Sequence, residues 1–277
     1  VDTTFNGSAD GTVDCFAIQA DGKLVIGGNF GSLSGQPRSR IGRLNSDGSI
    51  DADFNPGASS FVLSLAVQAD GAIVVGGDFT TLGGAPRMYI GRLLTDGTVD
   101  PSFDPGADWD VYGLALQTDG RVLAAGFFGT LGGWTRNSVG RLSATTSPSE
   151  SLSLSGTLIT WMRGGGEPEV SRTTFEATTN GNDWQLLGAG TRIDGGWQLN
   201  GVAPPVGAII RARGYLGQGY HDGSGGIVET ITGPSLITTQ PSSQTNVIGT
   251  TATFSILATN FQGTPISYQW YKNGTNL

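Results

Sequence analysis

Four aspartates are the residues best suited to chemistry in this sequence of 277 residues. Asp10 and Asp14 lie near its start, and Asp108 and Asp110 occur much later. Carboxylate oxygens are the ligands that Ca²⁺ and Mg²⁺ prefer, and a bound ion can polarise an ester or phosphoryl oxygen and activate water. The four residues predict a site for Ca²⁺ or another divalent cation if the fold brings them together. The alternative interpretation is that they are solvated acids of surface loops.

Three aromatic residues, Trp109, Tyr112 and Trp134, indicate a surface that binds a ligand. Exposed aromatic rings stack on sugars or anchor a protein partner, although the same residues could instead pack between structural units. No motif identifies a catalytic residue. The single histidine, His221, lies in GYHDGSGG without the G-x-S-x-G elbow of a serine hydrolase, so a turn residue is the simpler interpretation.

A repeat of 49 residues must position these side chains. Its copies read LSGQPRSRIGRL from Leu33, LGGAPRMYIGRL from Leu82 and LGGWTRNSVGRL from Leu131. Copies without insertions indicate one repeated supersecondary unit. Arginines and glutamines that recur at this offset are expected to make structural hydrogen bonds and ion pairs: Arg38, Arg87 and Arg136, and Gln19, Gln68 and Gln117. The aspartates and aromatics fall where the copies differ, so we expect function there.

Each copy predicts four antiparallel strands, which is the pattern of a β-propeller blade. In the first copy the strands are DCFAIQ, KLVIGG, RIGRL and SIDADF. Asp-Gly pairs supply the positive φ of tight turns between the first and second strands and between the third and fourth. The predicted fold class is therefore all-β, with propeller blades in which the first strands line a channel and ligand sites lie at its mouth.

These residues resemble the bacterial delta-sixty repeats. The resemblance rests on the QxDGK-like hairpin, the GG-[ND]-F step, the LGG-x-x-R-x-x-[IV]-GRL stretch and DG-x-[IV]-D-x-x-F, and it covers residues 1–142. It implies a β-propeller within a large extracellular bacterial protein. It adds little about biochemical function, since the role of that family is mostly unassigned.

The number of strands predicts a homodimer. Three blades cannot close a ring, because propellers use about four to eight. The third copy lacks its fourth strand, and the chain begins with an extra one, residues 1–5 (VDTTF). We expect residues 1–5 of one chain to complete the third blade of another, giving a six-bladed ring without exposed edges. The alternative is a fragment of a longer propeller.

Two further β modules are predicted after the repeats. Residues 143–151 form a polar linker, and residues 152–232 resemble a fibronectin type III-like sandwich. Residues 233–277 resemble the first half of an immunoglobulin-like module, with Trp270 in the place of its core tryptophan and no cysteine pair.

Composition narrows the function classes. A net charge of −8 argues against nucleic acid, since a phosphate-binding face needs clustered lysine and arginine. Cys15 is the single cysteine, which excludes an internal disulfide, and no apolar run is long enough for membrane insertion. We expect a secreted or cell-surface protein that acts as a binding, adhesion or scaffold module for a carbohydrate or protein. The alternative is a divalent-metal-dependent hydrolase at the channel mouth.

Overall fold

The computed structural model describes residues 2–144, 146–216, 226–234, 236–239, 241–247, 249–259, 267–272 and 275–276. The fold is all-β, as the sequence predicts. Within this part of the chain, no helix has the length and apolar character needed to cross a membrane.

Each repeat forms a small antiparallel sheet in which the second strand lies between the first and the third. The blade strands are β1 (Thr12–Ile18), β2 (Leu24–Asn29) and β5 (Ile41–Leu44); β6 (Val62–Val67), β7 (Ile73–Gly77) and β10 (Ile90–Leu93); and β11 (Val111–Leu116), β12 (Val122–Gly126) and β15 (Val139–Leu142). A hairpin interrupts the path from second to third strand in each blade: β3 (Ser32–Leu33) with β4 (Gln36–Pro37), β8 (Thr81–Leu82) with β9 (Ala85–Pro86), and β13 (Thr130–Leu131) with β14 (Trp134–Thr135).

The predicted Asp-Gly turns form. Gly22 has a φ of 80°, a conformation that glycine adopts without steric cost, and the Asp21 carboxylate accepts a hydrogen bond from the Lys23 backbone N–H. The turn closes between the Gln19 and Lys23 backbones, at the end of strand β1. The local sequence therefore sets both the position of the hairpin and the register of β1 on β2.

The prediction of a regular fourth strand in each blade is wrong. In each of the first two blades the corresponding residues form only a single β-bridge. Leu44 pairs with Ile50, and Leu93 pairs with Val99. The reason lies in the arginine of the repeat: Arg38 donates from Nε and Nη2 to the carbonyls of Phe54 and Asp51, which removes those carbonyls from any ladder. Residues 50–54 and 99–103 are called the fourth segments below.

The three blades pack side by side through their first strands. Strand β6 contacts β1 and β2 on one side and β11 on the other, whereas the third strands of neighbouring blades make no comparable contact. The units therefore diverge from the first strand outward, as wedges do. Cys15 is buried at the first junction, and its thiol donates to the Val62 carbonyl at 3.5 Å.

A β-sandwich follows the blades. One sheet has the order β16 (Ser149–Ser155), β17 (Leu158–Gly164), β21 (Gly196–Leu199), β20 (Thr191–Ile193), and the other β19 (Gln185–Ala189), β18 (Val170–Thr178), β22 (Ile209–Leu216), β23 (Ile227–Thr232). Trp161 and Phe175 are fully buried in the core between the sheets. The Trp161 indole N–H donates to Thr230 Oγ1 at 2.9 Å, so the buried polar atom is satisfied.

The sandwich contacts the second blade at the turn that follows β6. The Ala69 N–H donates to the Glu167 carbonyl at 2.7 Å, and Gln68 Nε2 donates to the Gly166 carbonyl at 3.1 Å. Glu169 returns a backbone hydrogen bond to the Val67 carbonyl at 3.0 Å. This contact leaves the opposite end of the blade, where β6 begins, facing away from the sandwich.

The C-terminal region contributes two short strand pairs, β24 (Leu236–Thr239) with β25 (Leu257–Thr259) and β26 (Tyr271–Lys272) with β27 (Thr275–Asn276). Trp270 is partly exposed, and its ring centroid lies 6.4 Å from that of Phe254. Much of the expected immunoglobulin-like module lies outside the described residues, so that module stays a prediction.

Candidate functional site

Residues that break the repeat gather at the end of the blades where first strands begin and second strands end. We call this the variable end. Five aligned positions define it: Asp10, Ser59 and Asp108; Gly11, Ser60 and Trp109; Thr12, Phe61 and Asp110; Asp14, Leu63 and Tyr112; and Asn29, Asp78 and Phe127.

A β-bulge shapes the variable end. In the third blade the pairing with β12 shifts between Val111 and Gly113, so Tyr112 is the extra residue and its side chain is exposed. Gly126 opposes the bulge, and a Cβ there would overlap the Asp110 carbonyl oxygen. The glycine of the GG-[ND]-F step is therefore needed for the close approach of two backbones, and the bulge turns Tyr112 outward.

A pair of carboxyl groups lies at the junction of the second and third blades. Burial raises the pKa of Asp110 above its ordinary value, and the hydrogen bond and negative charge of Asp78 raise it further. Tyr112 Oη donates to Asp110 Oδ2 at 3.3 Å, and Ser60 Oγ donates to Asp78 Oδ2 at 3.1 Å. The two carboxyl groups thus form one polar centre, oriented by hydroxyl groups from both blades.

Exposed aromatic residues are close to these acids along the chain and across the strands. The side chain of Trp109 is 53 % exposed and that of Phe127 is 70 % exposed, while Phe61 and Tyr112 are also exposed. Backbone hydrogen bonds join two of these residues to the acids, since the Phe127 N–H donates to the Asp110 carbonyl and the Asp78 N–H donates to the Phe61 carbonyl, both at 2.9 Å. Apolar rings around convergent polar groups are typical of a ligand site.

Asp10 and Asp108, two of the predicted metal ligands, have a structural role instead. Asp10 Oδ1 accepts hydrogen bonds from the N–H groups of Gly31 and Ser32 at 2.8 and 2.9 Å. Asp108 binds the same loop of the third blade, and Ser59 Oγ takes this place in the second. Backbone N–H donors also hold the pKa of Asp10 and of Asp108 below the ordinary value.

The four predicted ligands do not form one metal centre. Among the described residues, no group of three or more His, Cys, Asp or Glu side chains is arranged to hold a metal ion. The physical reason is that Asp10 and Asp108 bind loops of different blades, while Asp110 is paired with Asp78. Asp14 occupies the bulge position of the first blade. The metal-dependent hydrolase therefore gains no support from this geometry, and metal binding stays a prediction.

Trp134 lies on a different surface from the other predicted ligand-binding aromatics. It is 71 % exposed on strand β14 and lines a cavity of about 410 Å³ together with Arg136 and Arg141. Neither Trp109 nor Tyr112 lines this cavity. The structure thus brings Trp109 and Tyr112 to the variable end and separates Trp134 from them.

Sequence reasoning missed Asp78 and Phe127. Their position reads Asn29, Asp78 and Phe127 in the three copies, so the break in the repeat was visible. The position was instead counted as part of the GG-[ND]-F motif, one of the motifs on which the family resemblance rests. His221, the one histidine, lies outside the described residues.

Two stretches of the chain, residues 19–54 and 68–103, match the family described as a domain of unknown function (DUF5122) beta-propeller. Each stretch runs from the glutamine of the first turn to the phenylalanine of the fourth segment. The match supports a propeller-type repeat family, and with it a binding or scaffold role. No curated protein and no solved structure matches the chain.

Proposed function

We propose that the chain is an extracellular binding module that recognises a carbohydrate at the variable end. The observation that carries this proposal is the exposed Tyr112, which contacts Asp110 of the Asp78–Asp110 pair, with the exposed Trp109 adjacent to Asp110 in the chain. A sugar presents C–H faces that pack on aromatic rings and hydroxyl groups that donate to carboxylate oxygens. The site offers both kinds of contact within one junction between blades.

The geometry of the two blades supports a preformed site. The rings and acids belong to strand ends whose backbones are hydrogen-bonded to each other, so little conformational entropy remains to be lost on binding. Tyrosine and tryptophan have few rotatable bonds, which lowers the cost of ordering them further. Because the pKa of Asp110 is raised, this carboxyl group keeps its proton to a higher pH than an isolated aspartate does.

A glycan panel tests the proposal, with intrinsic tryptophan fluorescence as a first screen and calorimetry for the sugars that respond. Trp109→Ala is expected to weaken binding about 5- to 30-fold, since removing one stacking ring costs about 1–2 kcal/mol. Asp110→Asn removes a carboxylate acceptor and is expected to weaken binding as well. Trp134→Ala is the matched control, because Trp134 is also exposed but lies away from the site.

Two results would contradict carbohydrate recognition at this site. One is a panel in which no sugar changes the fluorescence or the heat signal. The other is binding that Trp134→Ala weakens and Trp109→Ala leaves unchanged. Capture of a protein ligand that depends on Trp109 would retain the variable end as a binding site but replace the ligand class.

We also propose that the sandwich is fibronectin type III-like and serves as a spacer in a secreted or cell-surface protein. The order of its strands in two four-stranded sheets supports the first point. The acidic composition and the succession of β modules support the second. Fractionation of cells that express the full-length protein is the test, with recovery in the medium or on the surface expected, and recovery in the cytoplasm contradicting it.

A further inference from the structure

The third blade contains an open groove where the other blades hold their fourth segments. The groove is the cavity of about 410 Å³ lined by Leu131, Gly132, Trp134, Arg136, Arg141, Leu142 and Ser143. In the first blade the corresponding space is filled by residues 50–54, and in the second by residues 99–103.

A buried aspartate organises the filled grooves. In the first blade, Arg43 Nε donates to Asp51 Oδ2 at 2.8 Å, and Arg43 Nη1 donates to Gln19 Oε1 at 3.3 Å. The guanidinium also lies over the Phe54 ring, 4.3 Å from its centroid. One segment thus supplies the charge partner and the aromatic face for one arginine.

The second blade repeats these contacts. Arg92 Nε donates to Asp100 Oδ2 at 2.8 Å, Arg92 Nη1 donates to Gln68 Oε1 at 3.2 Å, and the guanidinium lies 5.0 Å from the Phe103 centroid. Arg87 Nη2 donates to the Asp100 carbonyl at 3.0 Å, as Arg38 does to Asp51. The fourth segment is therefore recognised through its aspartate, its phenylalanine and its backbone carbonyls.

The third blade keeps the receiving groups without the segment. Among the described residues, the Arg136 guanidinium donates only to the adjacent Thr135 carbonyl. The Arg141 guanidinium is close enough to lower the pKa of Asp119 but makes no hydrogen bond or ion pair with a described residue. Gln117 Oε1 is buried and has no hydrogen-bond partner within the described part of the chain. A buried unpaired acceptor costs stability, and it is the atom that the arginine satisfies in the other two blades.

The chain itself carries a segment of matching sequence. Residues 1–5 (VDTTF) stand at the repeat offset from IDADF of the first fourth segment and VDPSF of the second. Asp2 is exposed and accepts hydrogen bonds from Thr4 and from the Phe5 backbone, both within its own segment, and Phe5 is partly exposed. In contrast, Phe54 and Phe103 are buried, as are Asp51 and Asp100.

We propose that residues 2–5 of a second copy of this chain occupy the open groove, with Asp2 binding Arg141 and Phe5 lying under its guanidinium. Arg136 then donates to backbone carbonyls of the segment, and Arg141 Nη1 reaches Gln117 Oε1. Two copies exchange segments in the same way, so the assembly closes by two-fold symmetry. The exposed apolar faces of the first and third blades meet in the same contact.

A charge exchange tests this contact, with mass measured by light scattering. Asp2→Arg and Arg141→Glu, each alone, are expected to weaken dimer formation at least tenfold, because both segment contacts then carry like charges or lack a partner. A one-to-one mixture of the two variants is expected to recover the dimer. In that mixed dimer, one contact pairs the original residues and the other pairs the exchanged charges.

Two matched controls carry the same charge changes away from the groove. Asp53→Arg alters an exposed residue of the first fourth segment, and Arg172→Glu alters an exposed arginine of the sandwich. Both are expected to dimerise as the unmodified chain does. The proposal is overturned if the unmodified chain is monomeric at every concentration, if Asp2→Arg dimerises normally, or if the mixture stays monomeric while circular dichroism shows both variants folded.

Discussion

The interior junctions of the propeller and its two outer faces present the same residues in different surroundings. Leu65 lies on the side of the second blade that faces the first, and it is 2 % exposed. Phe16 holds this position in the first of the three described blades, and it is 41 % exposed. At the other end, Ile90 is fully buried between blades, whereas Val139 of the third blade is 61 % exposed.

The difference teaches that burial here is set by the neighbouring unit rather than by the repeat itself. The same holds for the charged groups, because Arg92 is buried on Asp100 while Arg141 lacks that partner. The three blades differ in sequence at one position of these faces. Gly27 and Gly76 lie against valines of the following blade, and Ala125 replaces them on the outer face of the third. We therefore expect the proposed contact between copies to be slightly wider at this point.

The largest expected contrast concerns the arginines. In the Asp2→Arg background, which keeps the chain monomeric, Arg92→Gln is expected to lower the free energy of unfolding by about 3–5 kcal/mol, because it leaves the buried Asp100 carboxylate without its partner. Arg141→Gln in the same background is expected to lower the free energy of unfolding by less than about 0.5 kcal/mol. Urea unfolding measures the loss of unfolding free energy in both variants, and equal losses would contradict the prediction.

A second contrast concerns apolar packing. Leu65→Ala is expected to cost about 2–5 kcal/mol, since it opens a cavity between the first and second blades. Phe16→Ala removes a larger side chain, yet it is expected to cost less than about 1 kcal/mol in the same monomeric background, because Phe16 is already in contact with water. A Phe16→Ala cost equal to that of Leu65→Ala would show that the outer face is covered within a single chain.

The smallest expected contrast lies in how the stabilisation from two carboxyl groups, those of Asp100 and Asp110, changes with pH. Burial alone would raise the pKa of Asp100, but hydrogen bonds from Ser102 and Arg92 hold it below the ordinary value, so its stabilisation is present at neutral pH and is lost as pH falls through that pKa. Burial and Asp78 raise the pKa of Asp110. Its stabilising contribution is present in acid and is lost as pH rises through the folded pKa.

The two asparagine variants are therefore expected to act in opposite directions at pH 7. Asp100→Asn lowers the melting temperature, and Asp110→Asn raises it by roughly 1–2 °C, since most of the Asp110 penalty is screened by solvent. Both differences are expected to shrink as pH approaches 3. Melting curves across this range check the signs, and a loss of stability in Asp110→Asn at pH 7 would contradict the raised pKa.

Much of the fold follows from local signals in the sequence. Asp-Gly pairs predict the hairpin turns, and the regular spacing of Arg43 and Arg92, Gln19 and Gln68 reflects structural hydrogen bonds inside blades. The fourth strand was predicted because a second Asp-Gly turn precedes it. It is wrong as a regular strand, because Arg38 binds the carbonyls that a ladder would need. Such long-range competition is not visible in a short window of sequence.

The candidate site was only partly predictable for a similar reason. Trp109, Tyr112 and Asp110 stand out as breaks in the repeat, but the Asp78–Asp110 pair joins residues of two blades. Its formation depends on the rotation of one blade relative to the next, which a constant period does not specify. The metal prediction paired Asp10 with Asp108 as channel acids, whereas their carboxylates bind backbone N–H groups of their own loops.

The mass of the unmodified chain in solution tests the central claim most directly, namely that the outer faces and the open groove are one interior junction left incomplete. Light scattering at micromolar concentration is predicted to give twice the chain mass of 28.6 kDa. A constant mass of 28.6 kDa at all concentrations would contradict it.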